Sequence, residues 1–207
     1  MSTLPVLIIG GGGHGRVVLD ALICAGHNVL GVCDPNPGVA ARLPEDIPYL
    51  GGDEAAQAYD RAAVLLANGV GSIADTTQRQ AVFDGFALRG YRFLTLRHPS
   101  AILADDAVIG EGTQLHAGSI VQTGARIGAN VLLNTGAQVD HDCEIGAHCH
   151  LAPGVVLSGG VRIGPGCHVG TGAVVIQNLA IGAGAVIGAG ALILRDVAPG
   201  ERVTGRW

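Results

Sequence analysis

An aliphatic residue recurs every six positions through the second half of the chain, and no insertion interrupts the series. A hexapeptide period is typical of a parallel β-helix, in which each hexad forms one short strand and three hexads close one triangular coil. The pattern therefore predicts a three-sided prism. We call these aliphatic residues the repeat positions: Leu103, Ile109, Leu115, Val121, Ile127, Leu133, Val139, Ile145, Leu151, Leu157, Ile163, Val169, Val175, Ile181, Ile187 and Ile193.

Small residues recur four places after the repeat positions, and we predict that both sets point into the prism. The residues between them should turn corners or face solvent. Glycine directly after a repeat position predicts a corner with positive φ. The glycines of this kind are Gly110, Gly128, Gly146, Gly164, Gly170, Gly182 and Gly188.

The first half of the chain has a different pattern. Residues 5–9 and 28–33 read as strands and residues 16–25 as a helix, with a glycine turn between the first strand and the helix. Further on, 62–67 and 91–96 read as strands and 76–88 as a helix. This alternation predicts a small parallel sheet covered by helices.

The segment Arg97-His98-Pro99-Ser100 separates the two patterns, because proline interrupts regular pairing and the hexads begin just after it. We therefore predict an α/β domain with a Rossmann-like βαβ unit over residues 1–97 and a β-helix domain over residues 98–207.

The composition agrees with a folded protein that has a narrow core. Of 207 residues, 48% are hydrophobic but only 3% are aromatic, and 34 are glycine, so small aliphatic side chains must fill the interior. The net charge of −5 and the lack of a basic run argue against nucleic acid or an anionic membrane as the partner. We find no secretion signal or bilayer-length apolar run and expect a cytoplasmic protein that acts on small molecules.

The five cysteines are odd in number and lack CxxC spacing, which indicates reduced thiols. Cys143, Cys149 and Cys167 all lie four places after a repeat position. We interpret them as core residues rather than catalytic thiols.

The glycine turn Gly10-Gly11-Gly12-Gly13-His14-Gly15 matches the GxGxxG pattern and lies between a predicted strand and helix. Glycines let the backbone approach a phosphate, and amides at a helix N-terminus point toward an anion. The spacing fits a dinucleotide with Asp34 on a ribose, but the domain is short for two mononucleotide halves, so one nucleotide diphosphate fits better. A tight turn without a ligand remains the alternative.

His141 lies in Asp140-His141-Asp142, two places after a repeat position, and should project from a corner. A histidine between carboxylates can have its tautomer fixed and its pKa held near working pH, as a general base requires. A solvated surface histidine in an acidic turn is the alternative. The spacing of the prism histidines does not favour a metal site, so we predict none.

Residues three hexads apart should stack in columns. This places His141 below Gly159 and Gln177, and Pro153 below Thr171 and Ala189. The small residues of such columns leave room for a long thin ligand such as pantetheine, although they can equally be plain turn residues.

The glycine turn, the Asn134-Thr135-Gly136 tripeptide and the segment Val139-Asp140-His141-Asp142-Cys143, followed by Ile145-Gly146 and His150, carry a resemblance over nearly the whole chain. With these motifs the chain resembles the NeuD/PglD family of sugar O- and N-acyltransferases. Within the family it is most similar to the nucleotide-linked amino-sugar N-acetyltransferases, a group that includes the GDP-perosamine N-acetyltransferases.

The resemblance implies a homotrimer of left-handed β-helices, with acetyl-CoA in the cleft between subunits and no metal. It assigns catalysis to His141 and its neighbour Asp142. The residues that it implies for the sugar nucleotide are Gly12, Gly13, His14, Asp34, Pro35 and Gly69. Those that it implies for the coenzyme are His150, Gly159, Thr171 and Ala189.

The function that follows is acetyl transfer from acetyl-CoA to the 4-amino group of a nucleotide-linked 4-amino-4,6-dideoxy sugar, carried by UDP or GDP, for a bacterial surface glycan. Two alternatives stay open at this stage. One is O-acetylation of a sialic-acid-type sugar, and the other is a trimeric β-helix that binds without catalysis.

Overall fold

The computed structural model describes residues 4–204 and has the two predicted parts in the predicted order. The first part has an α/β architecture and the second is a left-handed parallel β-helix. The helices and 3₁₀ helices are α1 (Gly13–Cys24), η1 (Pro37–Arg42), η2 (Asp53–Ala58) and α2 (Thr77–Leu88).

A four-stranded parallel sheet forms the core of the first part, in the order β3-β2-β1-β4. Its two central strands are fully or largely buried because helices cover the sheet, which explains their nearly unbroken aliphatic sequences. The strands are β1 (Val6–Ile9), β2 (Val29–Cys33), β3 (Tyr49–Gly51) and β4 (Leu65–Asn68). Sequence patterning predicted β1, β2 and β4 but missed β3, which is only three residues long.

The predicted strand over 91–96 is wrong as a single element. Phe93 forms an isolated parallel bridge with Leu66 in the first sheet. Leu96–Arg97 instead forms β5 and pairs with Gln114–Leu115 of the prism. One apolar run is thus divided between the two parts, because both offer an open strand edge to it.

Two-residue strands build the three faces of the prism, and each strand up to Leu192–Ile193 pairs in parallel with the strand three hexads away. Face 1 contains β5, β8 (Gln114–Leu115), β11 (Leu132–Leu133), β14 (His150–Leu151), β17 (His168–Val169), β20 (Val186–Ile187) and β22 (Arg202–Val203). Face 2 contains β6 (Ile102–Leu103), β9 (Ile120–Val121), β12 (Gln138–Val139), β15 (Val156–Leu157), β18 (Val174–Val175) and β21 (Leu192–Ile193). Face 3 contains β7 (Val108–Ile109), β10 (Arg126–Ile127), β13 (Glu144–Ile145), β16 (Arg162–Ile163) and β19 (Ala180–Ile181).

Both predicted inward positions fill the prism. From Leu115 onward every repeat position is buried, and the three cysteines of the prism are buried among them, as predicted. We call the corners after faces 1, 2 and 3 the first, second and third edges.

The predicted positive φ directly after the repeat position is wrong. The left-handed residue comes two places later, where glycine stands in most hexads, for example Gly112 and Gly160. Gly110 and its equivalents on the third edge are glycine for another reason, since a Cβ there would collide with the backbone of the next coil. Both positions of the hexad are rich in glycine. Close approach of the next coil explains the glycines directly after the repeat position, and positive φ explains those two places later.

None of the helices among residues 4–204 combines the length and the apolar character that crossing a membrane would require.

Candidate active site

A pocket of about 710 Å³ lies where the glycine turn meets the first edge of the prism. It is lined by parts of both halves of the chain, including Gly12, His14, Ser72, Asn134 and His150. No lysine or arginine is among the described residues that line it. The donors that this chain itself offers to an anion in the pocket are therefore neutral.

The glycine turn delivers backbone amides to this pocket. Helix α1 begins at Gly13 with Gly12 as its N-cap, and no side chain caps it. Its first amides have no intrahelical acceptor. A Cβ at Gly12 or Gly13 would meet nothing within 4 Å, so this side of the turn is open. Such a terminus can bind a phosphate.

Two further predicted substrate residues line the pocket, and one does not. The Asp34 carboxylate accepts hydrogen bonds from the amides of Gly11 (2.6 Å) and Asn36 (2.8 Å), which fixes it at the end of β2. Gly69 packs so closely on the carbonyl of Gly10 that no Cβ fits. Pro35 is exposed and lies outside the pocket lining.

His14 is anchored to the prism. Its Nε2 lies 3.0 Å from Oε1 of Gln114, whose Nε2 donates to the carbonyl oxygen of Asn68 at 2.8 Å. Since the Gln114 amide nitrogen is a donor there, its oxygen must accept from His14, which places the proton of His14 on Nε2. Burial, with the Arg79 cation as a second cause, holds the pKa of His14 well below its ordinary value. His14 is therefore a neutral ring and not a cationic phosphate ligand.

Arg79 is the buried cation at this junction. It is 1% exposed, and its Nη1 donates to the carbonyls of Asn68 (3.0 Å) and Val70 (2.8 Å). Burial lowers its pKa to about 9. The bonds fix the loop after β4, and Val70 of that loop lines the pocket.

His150, predicted as a coenzyme residue, lies in the same pocket and is 5% exposed. Its Nδ1 is 2.7 Å from the hydroxyl oxygen of Ser72, and its Nε2 is 3.2 Å from the amide nitrogen of Asn134. Burial lowers its pKa to about 3. The structure thus places His150 beside the glycine turn, with its ring facing the first half of the chain.

His141 projects from the second edge, as predicted, and its side chain is 58% exposed. Its Nδ1 lies 2.8 Å from Oδ2 of Asp142, and its backbone amide donates to Oδ1 of Asp140 at 2.8 Å. The hydrogen bond to Asp142 raises the pKa of His141. Asp142 has φ 58° at a position where most hexads carry glycine. The carboxylate thus reaches the ring from a left-handed backbone conformation, which is unfavourable for most residues other than glycine.

The predicted columns are confirmed by backbone bonds between coils. Gly160 donates to the carbonyl of His141 (2.9 Å), and Asn178 donates to that of Gly159 (3.0 Å). A Cβ at Gly159 would collide with Nε2 of His141, so the imidazole lies directly against this glycine. Thr171 and Ala189 are exposed in the other column, on the first edge.

The predicted site residues thus lie on two edges of one protomer. His141, Asp142 and Gly159 are on the second edge, whereas the pocket and the Thr171 column are on the first. Face 2 separates the two edges. One chain by itself does not bring the His141 imidazole to the pocket.

One group of metal-ligand type occurs among residues 4–204. Asp20, Cys24 and His98 place ligand atoms within 4.8 Å of one another. The two residues from α1 are exposed, and none of the three lines the pocket.

Sequence reasoning missed Ser72, Gln114 and Arg79. None of them lies in a motif. Ser72 and Gln114 are placed by contacts between the first half and face 1, and Arg79 is placed by backbone carbonyls of its own half. Asp142 offered a signal, since it occupies a hexad position at which most hexads carry glycine.

Comparisons with known proteins agree with this architecture. The chain matches the family model of the PglD N-terminal domain over residues 5–86 and that of the bacterial transferase hexapeptide (six repeats) over residues 124–159. No curated protein sequence matches the chain.

Solved structures match over almost the full length. The acetyltransferase domain of PglB from Neisseria gonorrhoeae, in complex with acetyl coenzyme A, is 30% identical with a TM-score of 0.90, covering 99% of this chain and 97% of that one. PerB from Caulobacter crescentus, in complex with CoA and GDP-perosamine, is 34% identical with a TM-score of 0.87, covering 99% and 95%. With these family models and relatives, the chain belongs to the NeuD/PglD family of hexapeptide-repeat acyltransferases.

Proposed function

We propose that this protein transfers acetyl from acetyl-CoA to the 4-amino group of a nucleotide-linked 4-amino-4,6-dideoxy sugar, in the cytoplasm, for a surface glycan. The observation that carries the proposal is the pairing of His141 with Asp142 on a prism edge, in a chain that also has an anion pocket at a helix N-terminus. The relatives support the substrates, because they were solved with acetyl coenzyme A, CoA and GDP-perosamine.

The chemistry requires removal of a proton from the amine as it attacks the thioester. His141 takes that proton on Nε2, because Asp142 accepts a hydrogen bond from Nδ1 and fixes the tautomer. The thioester carbonyl gains negative charge in the tetrahedral intermediate, and when this intermediate collapses the C–S bond breaks and CoA leaves as the thiol with the proton that His141 holds. The amide of Gly159 is beside the ring and donates to no acceptor among the described residues, so it can stabilise this oxyanion.

A homotrimer would complete the site. The outward positions of face 2 are apolar in nearly every coil, and Ile102 and Leu192 are more than half exposed. A second copy is the natural cover for such a stripe. In a cyclic trimer that buries face 2, the second edge of one protomer meets the first edge of the next. His141 would then face the neighbouring pocket, with the coenzyme between them beside Gly159, Thr171 and Ala189.

A product assay tests the function directly. We expect purified protein to consume acetyl-CoA with GDP-linked or UDP-linked 4-amino-4,6-dideoxy sugars and to form an amide, measured by thiol release and mass spectrometry. The matching 4-hydroxy sugar is the control. Acetylation of the hydroxy sugar or of a sialic acid, with the amino sugars inert, would instead indicate an O-acetyltransferase. If the protein shows neither turnover nor coenzyme binding, it is a β-helix protein without acetyltransferase activity.

Asp142→Asn should shift the pH profile of the reaction. Asp142 raises the pKa of His141, and the base works only while the ring is neutral, so activity falls as pH drops through that pKa. Removing the carboxylate lowers the pKa, and we expect the acidic limb of kcat/KM to move to lower pH. Asparagine tolerates the positive φ at this position, so the corner should be retained.

The matched control is Asp140→Asn, which removes the other flanking carboxylate. Asp140 bonds the backbone amide of His141 and not its ring. Asp140→Asn should therefore shift the acidic limb of kcat/KM less than Asp142→Asn does. An equal or larger shift in the Asp140 variant would contradict the assignment of Asp142 as the partner of the base.

A further inference from the structure

A chain of hydrogen bonds with a fixed direction runs from the first edge of the prism into the pocket. The amide of Thr135 donates to Oδ1 of Asn134 at 2.8 Å, which identifies that atom as the oxygen. The amide nitrogen of Asn134 therefore faces Nε2 of His150 at 3.2 Å. An amide nitrogen can only donate, so Nε2 of His150 is the acceptor.

The other nitrogen of His150 must then carry its proton. Burial lowers the pKa of this ring to about 3, so the ring is neutral and has a single N–H. A second contact requires the same tautomer, because Nδ1 also lies 3.2 Å from the carbonyl oxygen of Ser72, which can only accept. Two independent neighbours thus place the proton on Nδ1.

The hydroxyl of Ser72 acquires a direction from this arrangement. Its oxygen lies 2.7 Å from Nδ1 of His150 and accepts that proton, so the hydroxyl's own hydrogen must point elsewhere. No acceptor for that hydrogen exists among the described residues, and Ser72 lines the pocket. The hydroxyl is therefore a donor that faces the pocket.

We propose that Ser72 is a substrate-binding residue whose hydroxyl donates to a phosphoryl oxygen of the nucleotide-linked sugar, with His150 and Asn134 as its positioning residues. The proposal rests on the proposed function. It follows from the composition of the pocket, which offers the open amides at Gly12 and Gly13 but no cationic side chain. A phosphoryl group there depends on neutral donors, and Ser72 is held ready as one.

Titration calorimetry with GDP and UDP tests this assignment. We expect Ser72→Ala to weaken binding of the nucleoside diphosphate by roughly 10-fold to 100-fold, as for loss of a hydrogen bond to a charged group. Ser72→Thr keeps the hydroxyl and should bind like the wild type. Guanosine and uridine lack phosphates, so their binding should be the same in all three proteins.

Variants of His150 test the positioning role. Asparagine can place an amide donor near the Nδ1 position, so His150→Asn should retain diphosphate binding, whereas His150→Leu should weaken it. In a Ser72→Ala background the leucine variant should cause no further loss, because the hydroxyl that it orients is gone. A purely structural role for His150 would weaken binding in both backgrounds.

The outcomes separate this assignment from the function itself. If the wild type binds GDP or UDP and Ser72→Ala binds it equally well, the role of Ser72 is wrong while the proposed function stands. The role is also wrong if the alanine variant loses the nucleosides as strongly as the diphosphates. If the wild type binds neither diphosphate, both the proposed function and this assignment fall.

Discussion

Replacing His141 by alanine should lower turnover by about two to four orders of magnitude, the usual contribution of a positioned general base. The side chain is exposed and its ring contacts only Asp142 and the surface of Gly159, so its removal should leave the fold and the melting temperature unchanged. Binding of the nucleotide part of the substrate should change little, because His141 does not line the pocket that we propose for it. Steady-state kinetics with thermal melting would check this, and undiminished kcat would rule out the mechanism.

Mixed oligomers extend this test to the shared site. Gly13→Asp is a suitable second variant, because a side chain at this position meets nothing within 4 Å and a carboxylate there repels phosphate. Each variant alone should be inactive. If His141 of one protomer serves the pocket of the next, random mixed trimers of both variants should recover up to about a quarter of wild-type activity. No recovery on co-expression would contradict a site shared between His141 of one protomer and the pocket of the next.

The core of the prism could be predicted from sequence because its geometry imposes a period. A narrow triangular coil has room for few inward side chains per hexad, so aliphatic and small residues must recur at fixed spacing. The repeat positions from Leu115 onward, the buried cysteines and the exposed His141 all follow from that count. The period also predicted the columns, which place Gly159 next to His141, and the structure shows that contact.

The surroundings of the outward residues could not be predicted in this way. His150 and Gln138 occupy the same outward position of their hexads, yet His150 is buried against Ser72 and Gln138 is exposed. The difference arises because the first half of the chain docks on face 1 and leaves face 2 open. No local pattern encodes that docking, so the sequence did not identify Ser72 and suggested only a coenzyme role for His150.

Gly159→Ala should reduce turnover by roughly 100-fold, the scale of effect that a small misplacement of a catalytic group can produce, while the protein stays folded. The new methyl group would occupy the space of the His141 imidazole. The φ of Gly159 is not in the left-handed region, so alanine suits the backbone. The ring is the free end of an exposed side chain and can rotate away at little cost in stability. The reaction then loses its base.

Gly164→Ala provides the opposite control on the third edge. A Cβ at Gly164 would meet the backbone of Ala183 in the next coil, which cannot move aside as a side chain can. We expect this variant to melt at lower temperature while its folded fraction keeps near-normal turnover.

In a His141→Ala background, Gly159→Ala should cause little further loss of turnover, because both changes remove the same base. Full additivity of the two losses would show that Gly159 acts independently of the imidazole, through its amide alone.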